Sequence, residues 1–221
     1  MTLDNGSQIT YSPLHQFSLW DRMKERQKII SFSLEVTARC NNACRHCYIN
    51  LPAGDRRAMW RELTLDEINR IADEAIQMGA LWCLITGGEP LLRKDFKNIY
   101  MLLKKKGLFI TVFTNATLIT EDIVALFKKY PPRDLEVSVY GATQETYEIV
   151  THKKGSFKAF MKGFNLLIDN GISVNLKAMA LRSNFHELEQ IAQFCQERSK
   201  APYRYDPMLH LRYDNFTTCS R

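Results

Sequence analysis

No stretch of the 221 residues approaches the roughly 20 consecutive apolar residues of a membrane-spanning helix, and residues 1–22 lack an apolar core of signal-peptide length. The chain is therefore expected to be cytoplasmic and to engage no membrane. Low-complexity linkers are missing, as is any sequence repeat beyond an alternation of short and long apolar patterns. Cysteine is scarce. Six residues, unevenly placed, cannot make a disulfide scaffold for a chain of this length, and clustered thiols in a reducing compartment more often bind metal. Basic charge is in excess, with a net +6 and a pI near 9.0, but it is not gathered into an arm. The short runs Lys104 to Lys106 and Lys128 to Lys129 fall where helices should end, and there a cation offsets the negative end of the helix dipole. No nucleic-acid partner is expected.

A hydrophobic share of 45% in 221 residues suffices for one sizeable core. Six β-rich runs are predicted at 30–36, 81–86, 109–113, 135–140, 173–179 and 203–208. Helical patterns separate them at 66–78, 94–106, 121–129, 157–170 and 185–198. The first of these helices opens on a capping box, Thr64 with Glu67, and Gly79, Gly107 and Gly171 stand as left-handed C-caps. The alternation predicts an α/β fold built on a parallel sheet, either an open sheet or a partial barrel of six βα units. Ligands then belong at the C-terminal strand ends, where the βα loops converge. Residues 214–221 offer no helix to cover the sixth strand, so the expectation is an N-terminal extension over 1–28 and a core domain over 29–221 that stops short of its covering helix.

The strongest local signal follows the first strand. Cys40, Cys44 and Cys47 form a CxxxCxxC loop that brings three thiolates to one inorganic centre. Three ligands leave a position open, as a catalytic site requires. Structural zinc, completed by His46 or a distant residue, stays open on spacing alone, although the separated second cysteine pair usual for zinc is missing.

The loop resembles the signature of the radical S-adenosylmethionine (radical SAM) superfamily, and further strand ends share the resemblance. They are Thr86-Gly87-Gly88-Glu89-Pro90, Thr114-Asn115-Ala116 and Val137-Ser138-Val139-Tyr140-Gly141, so that the likeness extends over about 29–208. It implies a partial (β/α)6 barrel in which Cys40, Cys44 and Cys47 hold three irons of a 4Fe-4S cluster, while S-adenosyl-L-methionine binds the fourth. One electron then splits the cofactor to methionine and a 5′-deoxyadenosyl radical, which takes hydrogen from substrate.

By the same resemblance, Gly87 and Gly88 offer a close backbone edge to the methionine amino group, and Glu89 assists. Asn115 and Ser138 stand at the ribose or methionine end, and His46, with Tyr48 beside it, borders the adenine. Lys154 stands near a family cation that meets the cofactor carboxylate, and Met208 packs on adenine. Each has a plainer reading. The two glycines make a tight turn, Glu89 complements a helix N-terminus, Asn115 and Ser138 satisfy turn backbone, His46 faces solvent and Met208 fills the core. Cys83 and Cys195 read as small buried hydrophobes.

Residues 137–157 look closest to radical SAM enzymes with a SPASM-type C-terminal domain, many of which modify peptides or proteins. The resemblance therefore implies peptide or protein maturation, with a flavodoxin- or ferredoxin-type reductant as partner. The alternatives are small-molecule chemistry, such as formation of a molybdenum cofactor precursor, a non-catalytic iron-sulfur electron carrier, and a zinc-stabilised binding protein.

Overall fold

The computed structural model describes residues 28–49, 51–199 and 204–206. Strand β1 (Ser31–Thr37) leads into a two-residue ladder of β2 (Arg39–Cys40) with β3 (Leu51–Pro52). A short helix α1 (Arg56–Trp60) follows, then α2 (Leu65–Gln77), β4 (Trp82–Gly87), α3 (Phe96–Lys105), β5 (Phe109–Thr114) and α4 (Glu121–Lys129). The chain continues through β6 (Asp134–Ser138), α5 (Gln144–Thr151), α6 (Ser156–Asp169), β7 (Asn175–Met179), α7 (Leu188–Arg198) and β8 (Arg204–Asp206). Six strands form one sheet in the order β1-β4-β5-β6-β7-β8, every neighbouring pair parallel. This is the expected α/β architecture, and its helical connections are those that parallel strands require.

The six strands and five helices expected from periodicity are present, with ends of the first five strands and of the helices shifted by a few residues; of the sixth run, residues 203, 207 and 208 lie outside the described residues, as do residues 1–27 of the expected N-terminal extension and residues 214–221. Helix α2 begins as foreseen. The Thr64 side chain accepts from Glu67 N while Glu67 accepts from Thr64 N, and Gly79, Gly107 and Gly171 all take positive φ beyond helix ends. Among the described residues, no helix is long and apolar enough to cross a membrane.

Strand alternation divides the side chains into two sets. Leu34 and Val36, Cys83 and Ile85, Ile110 and Val112, Leu135 and Val137, and Leu176 and Ala178 are buried in one continuous core, which they share with Ile68, Ile99, Phe127, Phe164 and Ile191 of the helices. Cys83 and Cys195 belong to that core, as expected of small hydrophobes. The alternate residues Ser33, Glu35, Leu84, Thr86, Phe113, Ser138, Lys177 and Met179 face the other way and line a cavity.

Candidate functional site

The cavity encloses about 590 Å³, within the range that suits a small-molecule ligand. Cys40, Cys44 and Cys47 all line it, together with Asn42, His46 and Tyr48 of the same loop. The loop is tied to the end of α5 by Ala43 N, which donates to Thr151 O at 2.9 Å, and is turned on itself by Cys47 N, which donates to Cys44 O at 3.1 Å. Burial pushes the Cys40 thiol up to about 12 and drives Cys44 upward as well, with the neighbouring thiols adding to the Cys44 shift. Thiolates at Cys40 and Cys44 are stable together only when a cationic centre accompanies them. Among the described residues, no three His, Cys, Asp or Glu side chains gather as ligands of a single ion. The three cysteines line one cavity, an arrangement that fits a 4Fe-4S cluster, which takes each thiolate on a different iron.

Asn42 gives a second indication. Both ends of its side-chain amide are buried without a partner, although the residue lines the cavity. A buried amide in that condition normally has a partner, and a bound polar ligand would provide one. His46 is similar. Its Nδ1 is buried and unpartnered, its ring meets that of Tyr140 at 5.0 Å, and burial lowers its pKa to about 4, so the imidazole is neutral.

Gly87 and Gly88 line the cavity, and the structure gives them a further duty. Gly88 N donates to Thr37 O at 2.8 Å and Glu89 N donates to Arg39 O at 2.9 Å, so the end of β4 is bound to the backbone that leads into Cys40. A β-carbon at Gly87 would fall 2.2 Å from Thr37 O, and one at Gly88 would fall 2.3 Å from Arg39 O. Only glycine permits this approach.

Glu89 does not line the cavity. It is fully buried behind the site, where its carboxylate accepts from Thr114 Oγ1 at 2.8 Å, Asn115 N at 2.7 Å and Leu91 N at 3.1 Å. The last of these bonds caps a 3-10 turn at Pro90–Leu92, in line with the plainer reading of this residue. Burial outweighs the three bonds and raises its pKa to about 7.

Asn115 lines the cavity, but its side chain is largely occupied. The amide donates to Asn41 Oδ1 at 3.0 Å and to Cys40 Sγ at 3.7 Å, and its oxygen accepts from Thr117. Ser138 and Tyr48 also line the cavity, and Tyr48 donates to Glu35 Oε1 at 2.5 Å. Lys154 is not part of the site. It is exposed in the turn between α5 and α6, where Gly155 N is held by Glu148 Oε1 at 2.8 Å. Met208 lies outside the described residues, and the methionine that lines the cavity is Met179 at the end of β7.

Sequence reasoning overlooked Asn42, Tyr140, Lys177 and Arg204, all of which line the cavity. Lys177 Nζ sits 4.0 Å from the centre of the Phe113 ring and pairs with Glu136, which also accepts from Arg204 at 3.1 Å. The available signal was a lysine alternating with the apolar residues Leu176 and Ala178 in β7. The site therefore offers three soft thiolates, a neutral imidazole, an unpartnered amide and a cationic rim, a donor set that fits an iron-sulfur cluster beside a polar organic ligand.

The similarities to known proteins agree with this chemistry. AlbA of Bacillus subtilis, an antilisterial bacteriocin subtilosin biosynthesis protein, is 28% identical over 79% of this chain and 38% of its own length. The AdoMet-dependent heme synthase of Methanosarcina barkeri is 30% identical over 76% of this chain and 48% of its own. The relatives also include probable GTP 3′,8-cyclases of methanogens. Among solved structures, SuiB of Streptococcus suis bound to S-adenosylmethionine superposes with a TM-score of 0.69 at 19% identity, covering 91% of this chain and 49% of that one. The fold is thus that of a radical SAM partial barrel, and the chain spans about half the length of these relatives or less. The family model for the radical SAM superfamily, enzymes whose cofactors are a 4Fe-4S cluster and S-adenosylmethionine, matches residues 34–195. That match takes in most of the described residues and every cysteine of the loop, and the chain belongs to the radical SAM superfamily.

Proposed function

We propose that this chain is the catalytic core of a radical SAM enzyme that matures a peptide or protein. The observation that carries the reading is the cavity itself, with three cysteines of one loop facing it and polar groups from successive strand ends around it. Cys40, Cys44 and Cys47 would hold the cluster. When bound, that group supplies the electron that splits S-adenosylmethionine into methionine and a hydrogen-abstracting 5′-deoxyadenosyl radical.

The protein's own residues would place and shield the reactants. The Asn115 amide donates to Cys40 Sγ and steadies the first thiolate. Asn42, without a partner in the wall, receives a polar group of the cofactor. Gly87 and Gly88 expose backbone at the methionine end, and Ser138 serves the ribose. His46, neutral and packed near Tyr140, borders the adenine. Lys177, inside the cavity and paired with Glu136, would take the place expected of Lys154 as the cation near the cofactor carboxylate.

A peptide or protein substrate is supported by two similarities: AlbA is a bacteriocin biosynthesis protein, and SuiB has been solved with its precursor peptide SuiA. Small-molecule chemistry on an anionic substrate is the second reading, favoured by Lys177 and Arg204 at the cavity and by the cyclase relatives. Either reading places the enzyme in the cytoplasm with a flavodoxin- or ferredoxin-type reductant.

The test is anaerobic reconstitution of the full-length protein with iron and sulfide, followed by dithionite and S-adenosylmethionine, with 5′-deoxyadenosine as readout. Product should form with the wild type and vanish with Cys44→Ala. Absence of product from a fully loaded wild-type protein would refute the enzyme reading, and retention of both cluster and turnover in Cys44→Ala would refute the ligand assignment.

A further inference from the structure

Helix α1 buries none of its residues: Met59 is 45% and Trp60 is 91% exposed. Five residues without a buried face gain little from helix formation alone. The segment is held from elsewhere. Asp55 caps it by accepting from Ala58 N at 2.8 Å, and buried Arg39 clamps both sides by donating to Ala53 O at 2.8 Å and Glu62 Oε1 at 2.7 Å. Thr37 donates to the same Glu62 oxygen at 2.5 Å. Arg39 is the residue before Cys40, and Cys40 is paired with Pro52 in the β2-β3 ladder. With strands about 5 Å apart and at most about 3.6 Å of reach per residue, Arg56 lies within roughly 20 Å of Cys40.

The face so anchored is strongly basic. Arg56, Arg57 and Arg61 are exposed, and among the described residues none of them has an ion-pair partner. The adjacent carboxylates are already engaged, Asp55 as the cap and Glu62 with Arg39 and Thr37. Beside them opens a cleft of about 560 Å³, partly lined by Leu51, Arg57, Arg61 and Leu63. Exposed Arg45 lies between Cys44 and Cys47 in the cluster loop itself.

We propose that Arg56, Arg57, Trp60 and Arg61 form the docking surface for an acidic one-electron carrier protein, an inference that rests on the radical SAM reading and deepens it. Arginine and tryptophan are the residues that anchor protein interfaces. Three exposed arginines without an ion-pair partner among the described residues outnumber the two carboxylates beside them, Asp55 and Glu62, and steer an acidic partner toward this face. The clamp through Arg39 holds that partner in fixed relation to Cys40. In the step so served, the carrier loses one electron and the cluster held by Cys40, Cys44 and Cys47 gains it.

The experiment uses the full-length, anaerobically reconstituted protein and the triple variant Arg56→Glu, Arg57→Glu, Arg61→Glu, with Trp60→Ala as a second variant. Formation of 5′-deoxyadenosine is followed with reduced flavodoxin and, separately, with dithionite, which needs no docking surface, and binding of oxidised flavodoxin to each protein is measured directly by calorimetry, where the triple variant should bind at least about ten-fold more weakly than wild type. The triple variant should lose about ten-fold or more of the flavodoxin-driven rate, the order expected of electrostatic steering, and keep the dithionite-driven rate. Added salt should slow the flavodoxin-driven wild type and close the gap. Equal loss with both reductants, or an undiminished flavodoxin rate, would overturn the docking proposal alone. No product from loaded wild type with dithionite would instead remove the enzyme reading and this proposal with it.

Discussion

Gly88→Ala offers the sharpest test of how the site is held. The added β-carbon would lie 2.3 Å from Arg39 O and 2.6 Å from its carbonyl carbon. Both are backbone atoms, so no rotamer change relieves the clash. The φ of Gly88 is not positive, which makes the penalty one of space rather than of conformation. To restore ordinary contact the end of β4 must retreat by about 1 Å from the cluster loop, given the tight packing of interiors. That retreat loosens Gly88 N to Thr37 O and Glu89 N to Arg39 O, the two bonds that join them. At about 1 kcal/mol for each bond and roughly 1–3 kcal/mol for overpacking, the loss comes to about 3–5 kcal/mol.

For a domain whose total stability is on the order of 5–15 kcal/mol, the variant should unfold at visibly lower urea and carry less iron and sulfide after reconstitution. Gly54→Ala is the matched control, because its β-carbon would meet nothing within 4 Å. It should stay within about 0.5 kcal/mol of wild type. A Gly88→Ala protein that matches this control in urea midpoint and cluster content would refute the claim that close backbone approach sets the position of the loop.

Two carboxylates should titrate stability in opposite directions. Glu89 has its pKa raised from 4.5 to about 7 by burial, so its proton is held more tightly folded than unfolded; stability is full below about pH 4.5 and falls as pH rises toward and through 7, by roughly 3 kcal/mol. Urea titrations of the cluster-free protein at pH 5 and pH 8 should show this fall in wild type and not in Glu89→Gln, and an equal fall in both would contradict the assignment. For Glu187, burial pushes the pKa up, but bonds from Thr143, Thr146 and Ala142 prevail and hold it below its ordinary value. Its contribution is present above pH 4.5 and lost on acidification below that, so Glu187→Gln should flatten the acid limb of the same urea series, and an unchanged acid limb would count against it.

The barrel was legible because each of its elements repeats a period. Helix α2 shows buried Ile68, Ala72 and Ala75 on one face, and β7 alternates buried Leu176 and Ala178 with Lys177 and Met179. What periodicity missed had none to show. Helix α1 buries nothing, and β2 and β3 contribute two residues each. Helix α5 went unseen because its buried set, Thr146, Tyr147, Val150 and Thr151, is half polar, with Thr151 bonded back to Tyr147 O. The run expected over 135–140 ends its pairing register at Ser138, although Val139 N still reaches Lys177 O at 2.7 Å. The run expected over 185–198 begins as a 3-10 turn because Glu187 turns its carboxylate to Thr143 and Thr146 across the fold.

The same distinction runs through the site. Cysteines, glycines, Asn115 and Ser138 occur at strand ends, where order along the chain is enough to bring them together. Lys177, Arg204 and Glu136 meet only because β6, β7 and β8 are neighbours in the sheet, and pairing between strands is not written in any one of them. Lys154 was expected at the site because it stands near a cation of the family it resembles, and position along a motif says nothing of which way a turn faces: the residue is exposed before α6 and does not line the cavity. The role of Glu89 shows why a motif match alone understates a residue. Its buried carboxylate joins the end of β4 to Thr114 and Asn115 of the next strand end, and Asn115 passes that restraint to Asn41 and Cys40. Gly88 and Glu89 hold the other side of the same loop through their backbone. Cys40 is thus fixed between two strand ends by the protein's own hydrogen bonds, and that preorganisation suits the loop to present its thiols as a ligand set.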